Sequence, residues 1–244
     1  MLAGVVQPEE EIQPAESRVF LVPQSDYTVI DTWHVAGLCG TGSNDVAADG
    51  VFVPEEMTLS VADLKGGPPP GAALNPNPLY RIPVFALFPF VLSGVALGNA
   101  QALLDEFTER MRMRTAKYSG GRISDFQSTQ IRIAAAGARV DAARRIMRGC
   151  CIEAMEDARA GRVPDMATKT RYRRDGAYAV GLCTEAVNLL FSSFGADALY
   201  SKSAAQRRFR DAHAIATHIA FNFDASGATH GRAELGLRVD NATL

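Results

Sequence analysis

The sequence predicts an α+β protein that is mainly α, with a partial antiparallel β-region followed by a C-terminal antiparallel helical bundle. Three observations predict it. Short β-branched runs at 17–23, 26–33 and 46–54, separated by turn residues, fill most of the first 64 positions. A Pro/Gly-rich stretch, KGGPPPGAALNPNP at 65–78, can form neither a helix nor a central strand. From about 83 to 223, apolar residues recur at helical spacing with few breakers. The expected organisation is a β-domain at 1–64, a connector at 65–82 and a helical domain at 83–244.

The β-region has three or four expected strands. The first helix is expected from Val84 to about Tyr118, irregular at Pro89 and ended by Gly120–Gly121. Ser124 followed by Gln127 reads as a capping box for the second, which runs to about Ala160. Ala134, Ala135, Gly137, Ala138 and Ala142 make it small-sided, which permits close approach of another helix. GRVP at 161–164 separates it from a third helix, about Ala167 to Phe194. A fourth starts after Ser203 and carries a buried stripe of Phe209, Ala212, Ala216, Ile219 and Phe223. Four long helices with short loops default to an antiparallel bundle.

Of the 244 residues, 47% are hydrophobic and 21% charged, the composition of an ordinary globular protein. The net charge of −2 gives no basic excess of the kind a nucleic-acid partner requires. The basic runs at 171–174 and 206–210 read as solvated helix faces. Cys39, Cys150, Cys151 and Cys183 fit no zinc spacing, so no metal is expected and the thiols read as reduced. The start, MLAGVVQPEEEIQP, lacks the basic region of a signal peptide. Val84–Leu104 is the one membrane candidate in the sequence. Its polar positions and its continuation into Asp105, Glu106 and Glu109 favour a buried core helix and a cytoplasmic protein.

The stretch SAAQRRFRDAHAIATHI at 203–219 concentrates the chemistry. Ser203 and Gln206 read as its capping box, and Arg207 stands one turn before Asp211, close enough to pair with it. Asp211 and His218 are two turns apart and share a face, whereas His213 points elsewhere. An imidazole can move a proton near neutral pH, so His218 is the first acid–base candidate, with His213 and Asp211 beside it. Two ordinary histidines on a core helix are the alternative. In GTGS at 40–43, the glycines expose amides and the Thr41 and Ser43 hydroxyls can donate, as they would in any tight turn. Gly195, in SSFGADAL at 192–199, stands where a helix-terminating glycine belongs. Arg110, Arg112 and Arg114 complement the negative pole of the first helix. Tyr80, Phe85, Phe88 and Phe90 cluster at its entry. Trp33 and His34 receive no role.

DTWHVAGLCGTGSNDV at 31–46, VFVPEE at 51–56, NPLYRIPVFALFPFVLSGVALGNAQ at 77–101, RRDGAYAVGLCTEAVNLLF at 173–191 and FRDAHAIATH resemble the acyl-CoA dehydrogenase-like flavoproteins. The resemblance runs in family order from about residue 18 to the C-terminus. It is closest to the oxygenase components of two-component flavin-dependent monooxygenases. It implies hydroxylation of an aromatic or phenolic substrate with O2 and reduced flavin, FMN or FAD, supplied by a separate reductase. It also implies a homo-oligomer, dimer or tetramer, with no membrane or nucleic-acid partner. By the same resemblance, Thr41, Ser43, Ser193 and Gly195 contact flavin, and Arg114 reaches the flavin phosphates of a neighbouring subunit. Tyr80, Phe85 and Phe88 line the substrate pocket, and His218 readies the substrate. Two features depart from the pattern. Cys39 stands where the family has arginine, and roughly 150 family residues would precede Ser17, so an N-terminally truncated chain is expected. A non-catalytic, oligomerising helical remnant is therefore the alternative. Acyl-CoA dehydrogenase chemistry is a third reading, for which the catalytic-glutamate motif has no match.

Overall fold

The computed structural model describes residues 2–6, 16–116, 119–241 and 244. Five short strands are among them. β1 (Leu2–Val6), β2 (Glu16–Phe20) and β5 (Thr58–Ser60) form an antiparallel sheet in the order β1-β2-β5, and β3 (Thr28–Ile30) pairs with β4 (Asp45–Ala47) in a separate ribbon. Arg18 fixes the β2–β5 register. Its guanidinium donates to Thr58 Oγ1 at 3.1 and 2.7 Å and pairs with Glu16 at 2.7 Å. The strands are shorter than the expected runs, and β1 and β5 fall outside them; single-turn helices at Gln24–Asp26 and Glu55–Met57 follow the first and third runs.

Among the described residues the helical part has five α-helices rather than four. They are α1 (Val84–Met113), α2 (Gln127–Arg159), α3 (Met166–Phe194), α4 (Ala204–Ala216) and α5 (Phe223–Glu234). α1 stops before the glycine pair, where the backbone turns through the Thr115–Arg122 bridge; Tyr118, its expected end, lies outside the described residues. Neither expected capping box forms. Ser124 Oγ donates to Asp125 while Phe126 occupies the α2 N-cap, and Gln206 donates to the Ser201 carbonyl instead of reaching Ser203. Asp165 does cap α3, accepting the Thr168 N–H at 2.8 Å.

α3 is the central element and touches each of the other four helices. Leu103 and Phe107 of α1, Val140 of α2, and Tyr172, Val187, Leu190 and Phe194 of α3 are fully buried in one core. Phe107 and Phe194 meet edge-to-face at 5.1 Å, a geometry worth about 0.5–1.5 kcal/mol beyond burial. α2 turns Ala136, Val140, Ala143, Met147, Cys150, Ala154 and Ala158 inward, a stripe at three- and four-residue steps. Its expected small-sided face lies beside that stripe, and Ala134 and Ala138 are exposed. α1 continues through Pro89, whose ring lies against Gly176 of α3, where a Cβ would stand 2.7 Å from Pro89 Cβ. By length and composition both α1 and α3 could cross a membrane, so α1 is not the single candidate the sequence offered; in this fold they pack against each other.

Candidate functional site

Three groups of predicted residues come together at different places. The first is the loop from Trp33 to Asn44, which docks on α4. Gly37 lies so close to α4 that a Cβ would fall 2.4 Å from the Arg210 carbonyl oxygen. Leu38 follows at φ 56°, the one non-glycine residue in left-handed conformation among those described. A side chain there costs roughly 1–2 kcal/mol. Its peptide groups are held on both sides. The Leu38 N–H donates to Asp211 Oδ1 at 2.7 Å, and its carbonyl accepts from Trp33 Nε1 (2.9 Å), Thr41 N (3.1 Å) and Thr41 Oγ1 (3.0 Å). Arg210 also donates to the Ala36 carbonyl. Thr41 and Ser43 are thus presented side by side, hydroxyls 3.2 Å apart and exposed. Asp211 is a loop anchor. It makes no ion pair with Arg207, contrary to the sequence expectation.

The second group joins the end of α1 to the end of α3. Arg114 Nη1 donates to the Phe194 carbonyl at 2.7 Å. Next to it, Gly195 turns the chain at φ 79°, ψ −177°, a region essentially reserved for glycine. A Cβ there would lie 3.4 Å from the Arg114 guanidinium. The three arginines of this region differ in their partners. Arg112 pairs with Glu109, and Arg110 pairs with Asp197 and lies 5.6 Å over the Phe194 ring. Arg114 meets no carboxylate among the described residues, so most of its five N–H donors remain open to a ligand. Ser193 is turned back, its hydroxyl donating to the Leu189 carbonyl at 3.2 Å.

His218 belongs to the third group, and here the sequence reading needs its largest correction. α4 ends at Ala216, and His218 leaves the helix at φ −62°, ψ 138° to cap the short turn Ile219–Phe221. Ile219 is 83% exposed and Phe223 47%, so neither continues a buried stripe, and His218 no longer shares a helical face with Asp211. The imidazole is exposed and lies between two rings, with centroids 6.3 Å from Phe88 and 5.9 Å from Phe221. Its Nδ1 accepts the Ala220 N–H at 3.1 Å, which places the proton of the neutral ring on Nε2. His213 is occupied within α4, its Nδ1 bonded to the Phe209 carbonyl at 2.8 Å and its ring on Phe209.

Phe88 also lines an apolar cavity of about 420 Å³ with Leu79, Ile82, Leu87, Phe90 and Met155. That volume falls within the range of roughly 300–1,000 Å³ typical of small-molecule sites. Tyr80 is more than half exposed, and Tyr80 and Phe85 lie outside the lining. Arg114 stands at the opposite end of α1 from Phe88, about 39 Å away at 1.5 Å per residue, so one chain cannot bring both to one ligand. The basic run at 171–174 is no simple solvated face, because Arg171 pairs with Glu153 across α3 and α2 and Arg174 pairs with its α3 neighbour Asp175. No cluster of three or more potential metal ligands occurs among the described residues. Leu38, Gly37 and Phe221 escaped sequence reasoning. A glycine beside a tryptophan-bearing turn was the only available signal.

The family described as acyl-CoA dehydrogenase, C-terminal domain, matches residues 90–223. The oxygenase subunit HsaA of a flavin-dependent monooxygenase from Rhodococcus jostii (strain RHA1) is 33% identical over 95% of this chain and 61% of its own. The oxygenase component of an FADH2-dependent resorcinol hydroxylase from Rhizobium sp. (strain MTP-10005) is 32% identical over 97% of this chain and 60% of its own. The crystal structure of 3-HSA hydroxylase from Rhodococcus sp. RHA1 superposes with a TM-score of 0.89 at 32% identity, over 99% of this chain and 61% of that one. The chain therefore spans about three fifths of the length of the curated relatives it matches.

Proposed function

Because the chain belongs to the acyl-CoA dehydrogenase C-terminal domain family, we propose that it works as the oxygenase component of a two-component flavin-dependent monooxygenase that hydroxylates an aromatic substrate. The observation that carries this reading is the exposed His218, its Nδ1 occupied and its ring 6.3 Å from that of Phe88, which lines the apolar cavity. A planar aromatic ligand in that cavity would meet Phe88 and Phe90, and its oxygen would accept from His218 Nε2–H. In this tautomer His218 donates a hydrogen bond and orients the substrate oxygen; it does not begin as a base.

The residues also fit a flavin, FMN or FAD. The guanidinium of Arg114, with no carboxylate partner beside glycine-only backbone, suits a phosphate, and the paired hydroxyls of Thr41 and Ser43 suit polar edges of the ring system. When bound, reduced flavin supplies the activation of O2. Asp211 keeps Thr41 and Ser43 in place, and the apolar wall excludes water from the substrate. Since Arg114 and Phe88 lie at opposite ends of α1, Arg114 serves a second copy of the chain. The exposed small-residue face of α2 gives such copies a surface for close approach. A separate reductase delivers the flavin, and the protein is soluble and cytoplasmic. The domain division at 64 and 82 belongs to the same reading.

Anaerobic titration with reduced flavin tests it. Saturable binding is expected, weakened about 10- to 100-fold in Arg114→Met, the size of a lost charge-assisted hydrogen bond. Binding that is absent, or identical in the variant, would overturn the flavin assignment.

A further inference from the structure

Between α2, α3 and the start of α5 lies an open cleft of about 670 Å³, larger than the cavity at Phe88. The two lie on different sides of α2: Cys150 lines the cleft and Cys151 lines the Phe88 cavity. The described lining of the Phe88 cavity carries no charged side chain, whereas guanidiniums and aromatic rings wall the cleft. Tyr178 and Phe223, each about half exposed, meet there with 6.0 Å between ring centroids and 50° between planes. Rings left open in this way offer a planar aromatic ligand stacked or edge contacts along with burial.

The charged wall is tied down at its inner end and open at its outer one. His230 of α5 is buried, and Thr170 Oγ1, which donates to the Ala167 carbonyl at 2.9 Å, accepts from its Nδ1 at 3.2 Å. Nε2 therefore accepts from Arg174 Nη1 at 2.7 Å. Arg174 also grips Asp175 through Nε and Nη2 at 2.8 and 2.6 Å, and Arg171 pairs with Glu153 at 2.5 Å. Glu153 and Asp175, the carboxylates of the described lining, are thus both taken. Arg145, the third guanidinium of the cleft, is exposed and has no ion-pair or hydrogen-bond partner among the described residues. Gly149, one turn along α2 from Arg145, keeps the space beside it clear, since a Cβ there would meet nothing within 4 Å. A glycine weakens a helix interior relative to alanine, and no close approach within the chain accounts for this one.

We propose that this cleft binds a planar aromatic carboxylate, its ring against Tyr178 and Phe223 and its anion on Arg145. The site is separate from the Phe88 cavity and does not depend on what that cavity takes. A guanidinium meets a carboxylate with two parallel N–H donors, a match that an uncharged amide cannot make. Calorimetric titration of the protein with naphthoate, and with uncharged naphthamide as control, tests the assignment. Saturable naphthoate binding is expected, weaker by roughly tenfold or more for naphthamide and in Arg145→Met. Gly149→Leu fills the open space without removing a charge. It should abolish binding while unfolding at the same temperature as the wild type or higher. Phe88→Ala, in the other cavity, should bind naphthoate as the wild type does. Should Gly149→Leu fail to fold, Arg145→Met, on an exposed side chain, carries the test alone. Absent binding, which a second copy of the chain seated on this face would cause, would overturn the proposal. So would equal affinity for the amide, unchanged binding in the folded cleft variants, or loss of binding in Phe88→Ala.

Discussion

Asp211→Ala removes the acceptor that holds Leu38 in a left-handed conformation. Leu38 costs roughly 1–2 kcal/mol at φ 56° relative to an ordinary backbone. A hydrogen bond to a charged acceptor contributes about 1.5–3 kcal/mol, so the 2.7 Å bond from the Leu38 N–H to Asp211 Oδ1 offsets that cost with little to spare. Without it, opening of the loop should become easier by about 2 kcal/mol, close to a 30-fold rise in the open population. Amide hydrogen exchange reports this directly. The Thr41 amide, bonded to the Leu38 carbonyl at 3.1 Å, should exchange about 30-fold faster, while amides in the middle of α3 stay unchanged. Asp211→Asn keeps a neutral acceptor and should show a smaller effect, of about tenfold or less. Equal exchange at Thr41 in all three proteins would refute the idea that Asp211 anchors the loop.

Three further outcomes follow from the helical core. Gly176→Ala places a Cβ 2.7 Å from Pro89 and should destabilise the fold by about 1–3 kcal/mol, read as a lower denaturation midpoint; an unchanged midpoint would mean the α1–α3 contact is loose. Burial pushes the thiols of Cys150 and Cys183 up to about 12, so at pH 8 a thiol reagent should label exposed Cys39 and spare both until the protein unfolds. The same shifts predict that stability falls as pH rises from about 9 to about 12. The unfolded thiols ionise there while the folded ones do not, and a flat profile over that window would contradict it.

Helical periodicity made most of the bundle legible. α1, α2 and α3 begin within a few residues of their expected starts, because breakers such as GRVP mark real chain reversals. The signal misled at the end of α4. Ala212, Ala216, Ile219 and Phe223 keep helical spacing across a stretch with no glycine or proline, yet the backbone leaves the helix at His218. Local side-chain bonds replace the helical ones there. Thr217 Oγ1 donates to the Ala214 carbonyl, and His218 Nδ1 accepts the Ala220 N–H. That break frees the imidazole to meet Phe88, a residue too distant in sequence for spacing to connect. The Arg114–Gly195 approach likewise joins two helix ends that no local pattern relates. The strain at Leu38 is invisible in sequence, since leucine gives no hint of a left-handed backbone.

The proposed role of His218 is that of a hydrogen-bond donor to the substrate oxygen. The measurement is product formed against peroxide released, with reduced flavin delivered by a reductase and a phenol as substrate. The protein would be compared with His218→Ala, His218→Gln and His213→Ala. His218→Ala should lose about 10²–10⁴-fold in hydroxylation and release more peroxide. His218→Gln, which can present an N–H where Nε2 stood, should recover a substantial part, and His213→Ala should remain near wild type. Normal hydroxylation by His218→Ala, or a loss in His213→Ala as large as that in His218→Ala, would contradict the assignment.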